Sequence, residues 1–300
     1  MTTPRSGADT ASEDRLAQFT EHRRYLFAVA YRMLGVAEDA EDVLQEAWLR
    51  FAASRASDLE SPRAYLVTIV SRLCLDVLRS ARRKREEYVG PWLPEPVLTE
   101  EALPADLFEL AESASFAFLL LLERLNEVER VVLVLHDVFD FAHPEIAEVI
   151  GKTPSASRQV LRRARLKLGT PTASVQPIED TRIEELLVAT RSGDVQRVMG
   201  LLAPDVALIS DGGGRVRAIS RPIAGGDTVA RFLVAMAQMP EAEGARGRLV
   251  SLNGQPGAVY WDADGGLRTA FLFDVSTAGV TALYVIRNPE KLARLAAQFA

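Results

Sequence analysis

One stretch decides the fold of the front half of the chain: His143–Leu168, with the sequence HPEIAEVIGKTPSASRQVLRRARLKL. It predicts a short helix, Pro144–Ile150, that ends at Gly151, because glycine adopts the left-handed conformation of a helix C-terminal cap. Thr153 can cap the next helix, and Pro154 suits its first position. Two helices joined by so short a turn have the length of a DNA-binding helix–turn–helix.

The second helix of this stretch has two kinds of face. Helical spacing turns four apolar residues inward: Val160, Leu161, Ala164 and Leu168. The remaining faces carry the predicted DNA contacts: Ser155, Arg158, Gln159, Arg162, Arg163 and Arg165. In a major groove, arginine suits guanine and glutamine suits adenine. A plain helical hairpin without DNA contacts remains the alternative.

Upstream, the segment SPRAYLVTIVSRLCLDVLRSARRKREEY predicts a helix that begins at Ser61-Pro62. Cys74 lies in its apolar run and is expected to be a buried structural thiol. The helix ends in a basic cluster made up of Arg79, Arg82, Arg83, Lys84 and Arg85. Such a cluster can neutralise phosphates. The helix dipole also favours cations at this end, so the cluster alone does not decide between the two explanations.

Further upstream, EDAEDVLQEAWLRF predicts an amphipathic helix. Its apolar stripe consists of Ala40, Val43, Leu44, Ala47, Trp48 and Phe51. The opposite face carries Glu38, Asp42, Gln45, Glu46 and Leu49. An acidic face with one apolar residue could bind a basic partner surface, and a simple solvated face is the alternative.

Proline-rich and polar breaks divide the chain. GPWLPEPVLTEEALP has four prolines, which favours an extended linker. The predicted organisation is a flexible tail (1–14), a helical domain (15–88), a proline-rich linker (89–104), a second helical domain (105–170), a short linker (171–179) and a third domain (180–300). The fold class is therefore multi-domain, with two all-α domains followed by an α+β domain.

The third domain changes pattern. Two helices (IEELLVATRSG and DVQRVMGLLAP) are followed by β-rich runs: VALIS, RVRAI, GRLVSL, AVYWD, LRTAFLFDV and GVTALYVIR. One helix, DTVARFLVAMAQM, interrupts the strands, and PEKLARLAAQF forms another. This order is typical of an α+β domain and not of alternating βαβ units.

Candidate chemistry in the third domain is sparse. The glycines of SDGGGRVRA could cradle an anion with backbone amides, although an ordinary hairpin explains them as well. Asp262 and Asp264 fit a hairpin turn. All the histidines, His22, His136 and His143, lie in the front half. A Ser–His–Asp triad or a histidine-based metal site therefore does not fit this domain.

Charge and hydropathy limit the function. The net charge is −6, and the residues before position 175 include more acidic than basic ones. A protein that binds DNA alone and tightly is expected to be basic, so a partner should supply much of the DNA affinity. No run of eighteen apolar residues indicates a membrane span. The first residues contain no apolar signal core, and a cytoplasmic location is expected.

The three front motifs, in this order, resemble the extracytoplasmic-function (ECF) sigma factors over residues 15–170. The resemblance implies that region 2 binds the clamp helices of the largest subunit of core RNA polymerase through Asp39, Asp42, Gln45, Glu46 and Leu49. It implies that region 2 also recognises the −10 element of promoter DNA through Arg72, Arg79, Arg82 and Arg83. The helix–turn–helix then corresponds to region 4, which recognises the −35 element. Many members have asparagine where this chain has Arg72.

The third domain resembles the SnoaL-like α+β cone, and the whole chain resembles the ECF subgroup that carries this cone. Three segments carry the likeness: Trp92-Leu93-Pro94-Glu95-Pro96, Asp211-Gly212-Gly213-Gly214-Arg215 and Asn288-Pro289-Glu290-Lys291-Leu292. The usual forms of the last two are DGGGK and NPDKL, so Arg215 and Glu290 preserve charge. The resemblance implies that these segments control activity in cis and that no separate anti-sigma factor is needed.

Two other functions stay open. The cone could be an isomerase or hydrolase that uses Asp205 and Tyr260, or the chain could be a one-component DNA-binding regulator that senses a small ligand in the cone. The expectation is a sigma factor with no catalytic residues, no metal and no cofactor.

Overall fold

The computed structural model describes residues 7–54, 59, 61–86, 88–99, 116–169, 181–239 and 243–299, with the backbone alone at 7–12 and 81–86. The chain forms two compact units. The first contains Met1–Arg83 and Leu121–Thr170, and the second contains Lys84–Leu120 and Pro171–Ala300.

The first unit is helical. Its elements are α1 (Gly7–Leu34), α2 (Ala37–Ala53), α3 (Pro62–Glu86), the end of α4 (Phe116–Leu122), α5 (Glu127–Leu133), a π-helical turn (Val134–Val138), α6 (His143–Ile150) and α7 (Pro154–Leu168). Gly35, with φ 71°, separates α1 from α2. Helix α1 begins at Gly7, inside the stretch predicted to be a flexible tail.

Contacts inside the first unit join the two predicted helical domains. Arg130 of α5 donates to the carbonyl of Met33 in α1 at 3.0 Å and to Glu123 at 2.7 Å. The ring of Phe139 meets that of Tyr25 edge-on, with centroids 5.2 Å apart. The helices before residue 86 and those after residue 121 therefore share one compact unit.

The second unit is an α+β domain. Its elements are the start of α4, α8 (Thr181–Ser192), α9 (Val195–Leu201), β1 (Leu202–Asp211), β2 (Ile223–Ala224), α10 (Gly226–Ala237), β3 (Arg246–Leu252), β4 (Gln255–Trp261), β5 (Leu267–Ser276), β6 (Gly279–Ile286) and α11 (Pro289–Ala297). The strand order is β2-β1-β6-β5-β4-β3. Only β1 and β6 pair in parallel among the pairings of these strands.

Both faces of the sheet are covered by apolar side chains. On one face, Leu208, Phe273 and Leu283 pack with residues of α8, α9 and α10. On the other face, the sheet packs against Leu93 and Phe116, together with residues of α11. The segment predicted to be a proline-rich linker thus forms part of the core of the second unit as far as it is described.

One predicted strand is wrong. Residues 215–219, RVRAI, form no strand; a turn continues from Gly213 and is followed by irregular chain as far as Ile223. The alternating pattern there lacks a partner strand, because β1 already pairs with β6 on one side and with β2 on the other. The glycines after Asp211 therefore belong to a turn at the end of β1 and not to a hairpin.

Candidate nucleic-acid interface and the Asp211 centre

The predicted helix–turn–helix is present in the first unit. Gly151 ends α6 in the left-handed conformation, with φ 64° and ψ 40°. The side chain of Thr153 caps α7 by accepting a hydrogen bond from the amide of Ala156 at 3.2 Å. Pro154 is the first helical residue of α7. The local signals in the sequence therefore define the turn.

Helix α7 buries one face and exposes the other. Val160, Leu161 and Ala164 are buried as predicted, whereas Leu168 is only half-buried. The six predicted DNA contacts are exposed: Ser155, Arg158, Gln159, Arg162, Arg163 and Arg165. In the described part of the chain, the arginines at 158, 162 and 163 form no salt bridge.

The last turn of α7 is bound to α5 and to the π-helical turn that follows α5. Arg165 donates to both carboxylate oxygens of Asp137, with Nε to Oδ2 at 3.1 Å and Nη2 to Oδ1 at 2.6 Å. Lys167 donates to Glu129 at 2.7 Å. Burial alone would raise the pKa of Asp137, but hydrogen bonds from Arg165 and His136 outweigh burial and lower it.

Two histidines lie beside this ion pair. The rings of His136 and His143 have centroids 4.8 Å apart. Nδ1 of His136 is 2.8 Å from Asp137, and Nδ1 of His143 is 3.0 Å from the hydroxyl of Ser157, which is buried in α7. Desolvation, followed by the nearby cations, lowers the pKa of His143.

Helix α2 presents the predicted acidic face. Its buried residues are Ala37, Ala40, Val43, Leu44, Ala47 and Phe51. On the other side, Asp42 and Gln45 are exposed, and Leu49 exposes 61% of its surface. Asp39 is partly covered, and Glu46 pairs with Arg50 at 2.8 Å. An exposed leucine surrounded by acidic side chains suits a partner surface that is both basic and apolar.

Helix α3 holds the predicted basic residues. Arg72 is exposed and donates to the carbonyl of Glu148 in α6 at 2.8 Å. Arg79 pairs with Asp76 at 3.3 Å. The side chains of Arg82 and Arg83 lie outside the described residues. Cys74 is fully buried, as predicted, and burial raises the pKa of its thiol.

In the second unit, the three predicted regulatory segments meet at Asp211, which is fully buried at the end of β1. Its carboxylate accepts four hydrogen bonds. They come from the amide of Leu93 at 2.9 Å, the hydroxyl of Tyr88 at 2.6 Å, the amide of Gly213 at 2.9 Å and the ammonium of Lys291 at 2.6 Å. Asp211 and these four partners form a cluster, the Asp211 centre.

Lys291 completes the Asp211 centre. It also donates to the carbonyl of Leu93, and its ammonium lies 4.2 Å from the centre of the Trp92 ring. Lys291 exposes only 7% of its surface. A buried ammonium between a carboxylate, a carbonyl and an aromatic face is well compensated, because each partner carries negative charge or negative potential.

The glycine turn and the start of α11 close around the same centre. Asn288 caps α11 through the amide of Glu290 at 3.1 Å, and its amide nitrogen donates to the hydroxyl of Tyr88 at 2.9 Å. Pro289 is the first helical residue. A side chain at Gly213, which has φ 60°, would collide with Asn288. Arg215 pairs with Glu290 at 2.6 Å in an exposed salt bridge.

Sequence reasoning missed a second buried polar network in this unit. Asp274 of β5 accepts from the hydroxyl of Tyr284 at 2.6 Å and from Gln255 at 3.2 Å. Gln255 in turn accepts from the amide of Phe116, the first residue of α4, at 3.0 Å. Burial raises the pKa of Asp274. A carboxylate inside the apolar run LRTAFLFDV was the available signal.

The structure does not favour a catalytic pair of Asp205 and Tyr260. Asp205 is exposed on β1, whereas Tyr260 on β4 packs edge-on against Phe271 with centroids 5.5 Å apart. Strands β6 and β5 lie between β1 and β4 in the sheet. Among the described residues, no three His, Cys, Asp or Glu side chains are grouped as a metal ion requires. No described helix is long and apolar enough to cross a membrane.

The sequence is similar to those of known proteins. Residues 18–84 match the family model of Sigma-70 region 2, and residues 115–168 match that of Sigma-70, region 4. The chain is 39% identical to the ECF RNA polymerase sigma factor SigJ of Mycobacterium tuberculosis over 290 residues, which cover 92% of each chain. It is 36% identical over 196 residues to the probable ECF RNA polymerase sigma factor SigI of M. tuberculosis, covering 64% of this chain and 68% of that one.

The likeness extends to three dimensions. The crystal structure of M. tuberculosis SigJ matches with a TM-score of 0.75 and 36% identity, covering 93% of this chain and 98% of that one. Regions 2 and 4 define a transcription initiation factor of the sigma-70 class. The chain belongs to the ECF RNA polymerase sigma factors. It directs promoter recognition together with core RNA polymerase and carries a C-terminal SnoaL-like domain in cis.

Proposed function

We propose that the acidic face of α2 binds the clamp helices of the largest subunit of core RNA polymerase. The binding residues are Asp39, Asp42, Gln45, Glu46 and Leu49. Exposed Leu49 would bury its side chain in the contact, while the acidic residues meet basic groups of the partner. Because the front half is acidic, polymerase supplies much of the DNA affinity.

The −10 element is bound by α3. Its contacts are Arg72, Arg79, Arg82 and Arg83. Arg72 is hydrogen-bonded to the carbonyl of Glu148 in the free protein, so −10 binding requires that this bond be broken. The cost is small, since a net hydrogen bond is worth about 1 kcal/mol.

The −35 element is read by α7 in the major groove. The observation that carries this proposal is the exposed polar and basic face of a well-capped recognition helix, built on a buried apolar face. Ser155, Arg158 and Gln159 lie at its N-terminal end, where base edges are met. Arg162 and Arg163 follow along the groove. Arg165, predicted as a further contact, is already paired with Asp137.

The SnoaL-like domain controls activity in cis through the Asp211 centre. The residues of this centre and its surroundings are Trp92, Leu93, Pro94, Asp211, Gly212, Gly213, Gly214, Arg215, Asn288, Pro289 and Lys291. The segment Tyr88–Thr99 follows region 2 directly, and its Tyr88 and Leu93 are hydrogen-bonded to Asp211 and Lys291. An internal domain thereby takes the place of a separate anti-sigma factor.

The protein acts in the cytoplasm without a catalytic step, a cofactor or a metal. On the cone face of the sheet, buried apolar side chains that include Val206, Phe271 and Phe273 pack into one cluster. An enzymatic role is disfavoured because a reaction site needs convergent polar groups.

The proposal is tested by run-off transcription with core polymerase and a cognate promoter. Lys291→Met in the full-length chain opens the Asp211 centre, and a chain truncated at Asp180 removes the domain. Both are expected to change promoter output at equal protein concentration. The matched control is Arg231→Ala, which removes an exposed salt bridge of the same unit outside the Asp211 centre. Unchanged output from both altered proteins would overturn control in cis.

DNA contact by α7 is tested with Arg158→Ala. Transcription from a promoter with its cognate −35 element should fall, while binding to core polymerase stays the same. If core binding falls together with transcription, α7 is not the recognition helix of this protein.

A further inference from the structure

We infer that Asp137 is a positioning residue for promoter recognition, which holds the recognition helix in place through Arg165. Arg165 would then act through the protein and not on DNA. The inference rests on the proposed function of α7, which is to bind the −35 element. Variants of Asp137, Arg165 and Arg158 distinguish a failure of this inference from a failure of the proposed function.

The geometry of the pair fixes direction as well as distance. Both Nε and Nη2 of Arg165 donate to the two oxygens of Asp137. A two-point pair between a planar guanidinium and a carboxylate orients both groups, which a single charge contact does not. Asp137 lies in the π-helical turn that comes after α5, so the pair connects the last turn of α7 to that turn.

The same carboxylate connects to the start of the helix–turn–helix. Asp137 contacts His136, the His136 ring packs against His143 at the start of α6, and His143 contacts Ser157 in the first half of α7. This series of contacts therefore begins at Arg165 and ends at Ser157, both on α7. It fixes the helix at two points separated by about two turns.

The basic residues of α7 fall into two groups. Arg165 is paired with Asp137 of the π-helical turn, and Lys167 with Glu129 of α5. Glu129 exposes only 5% of its side chain and also accepts from the amide of Asn126 at 3.1 Å. The arginines at 158, 162 and 163 make no such pair in the described chain. The paired group is suited to positioning α7, and the second group is suited to binding DNA.

The two possible roles of Arg165 predict effects of opposite sign for Asp137→Asn. If Asp137 positions α7, the variant weakens promoter binding. If Arg165 contacts a phosphate, the same variant leaves binding unchanged or strengthens it, because it frees the arginine and removes a competing negative charge. Arg165→Lys separates the roles as well: lysine keeps the charge for a phosphate but loses the two-point geometry.

The experiment measures promoter binding by the full-length protein assembled with core polymerase. One template carries the cognate −35 element, and a second carries a scrambled one. For both Asp137→Asn and Arg165→Lys we expect affinity to fall by about tenfold on the first template, typical of a lost charge-assisted bond. On the scrambled template the loss of affinity should disappear. A loss caused by impaired folding or impaired core binding would instead appear on both templates.

Salt dependence provides a second readout. Arg165→Gln should weaken binding without changing the slope of log affinity against log salt, whereas loss of a phosphate contact reduces that slope by about 0.9. The matched control is the pair Asp227–Arg231, in which Arg231 also donates to both carboxylate oxygens but lies in the second unit. Asp227→Asn and Arg231→Lys should have no effect on either template.

Three results would overturn the inference: stronger or unchanged binding for Asp137→Asn, full binding for Arg165→Lys, or a reduced salt slope for Arg165→Gln. Failure of the proposed function looks different. Suppose that Arg158→Ala leaves promoter binding unchanged, whereas Asp137→Asn still weakens it on the cognate −35 template alone. The residues that contact DNA are then wrongly assigned, and the positioning role of Asp137 stands.

Discussion

The recognition helix and the Asp211 centre both depend on charged side chains, but they place them in opposite environments. On α7, the arginines at 158, 162 and 163 are exposed to solvent, where an ionised group costs little and can meet a phosphate or a base. In the Asp211 centre, a carboxylate and an ammonium are buried and hydrogen-bonded on every side. The exposed arginines are thus available to DNA, whereas the buried pair connects distant segments of the second unit, and each buried charge depends on its partner for stability.

The largest expected effect comes from breaking the buried pair. Lys291→Met should lower the free energy of unfolding of the second unit by about 3–5 kcal/mol, because Asp211 keeps its buried charge without a cation. Hydrogen–deuterium exchange of the β1 and β6 amides measures this loss locally. The exposed pair gives the control: Arg215→Ala should change stability by no more than about 1 kcal/mol. Equal effects of the two variants would remove the contrast between the buried and the exposed pair.

A smaller effect is expected from two left-handed glycines, one in each unit. Gly151→Ala meets open space, so its cost is the backbone strain of about 1–2 kcal/mol. Gly213→Ala adds a collision with Asn288, so its cost should exceed that of Gly151→Ala by about 1–2 kcal/mol. Hydrogen–deuterium exchange of the amides in each unit, measured for both variants, compares the two losses of stability. A larger loss at Gly151 would contradict the close contact.

The smallest effect concerns pH and the helix–turn–helix. The pKa of His143 is lowered below its ordinary value of 6.5 in the folded protein, so the unfolded chain binds the proton more readily. Stability of the first unit should therefore fall as the pH drops below about 6.5. Melting temperatures at pH 8 and pH 5.5 measure the change, and His143→Gln should reduce it. The second unit contains no histidine, and the raised pKa of its buried Asp274 gives any change there the opposite sign, which makes it the internal comparison.

Local signals predicted the first unit well. Gly151, Thr153 and Pro154 each act on their own neighbours, so the turn and both helices of the helix–turn–helix are determined by a few residues. The apolar stripe of α2 was predicted for the same reason, since helical spacing fixes which residues share a face. Trp48 is the exception: it stays half-buried and packs against the ring of Phe19 at 5.4 Å.

Contacts between distant parts of the chain were predicted only where a resemblance supplied them. Asp211, Leu93 and Lys291 were grouped by likeness to a subgroup of sigma factors, and the structure brings them into direct contact. Tyr88 and Asp274 were missed, because nothing in their neighbours indicates the partner. The pairing of Arg165 with Asp137 spans 28 residues and is equally hidden from local reasoning.

The π-helical turn Val134–Val138 makes the position of Asp137 depend on the number of residues as well as on their identity. Each residue of an α-helix advances the chain by about 100° around the axis, and a π turn accommodates one extra residue. Deleting a single residue here would restore α-helical winding by removing the extra residue, so the residues beyond the turn would keep their direction while those inside it would change theirs. Asp137 lies inside the turn, so its carboxylate would no longer be directed at Arg165 in the same way. The pairing of Asp137 with Arg165 therefore depends on the length of this turn as well as on its side chains, which include the buried Val134 and Leu135.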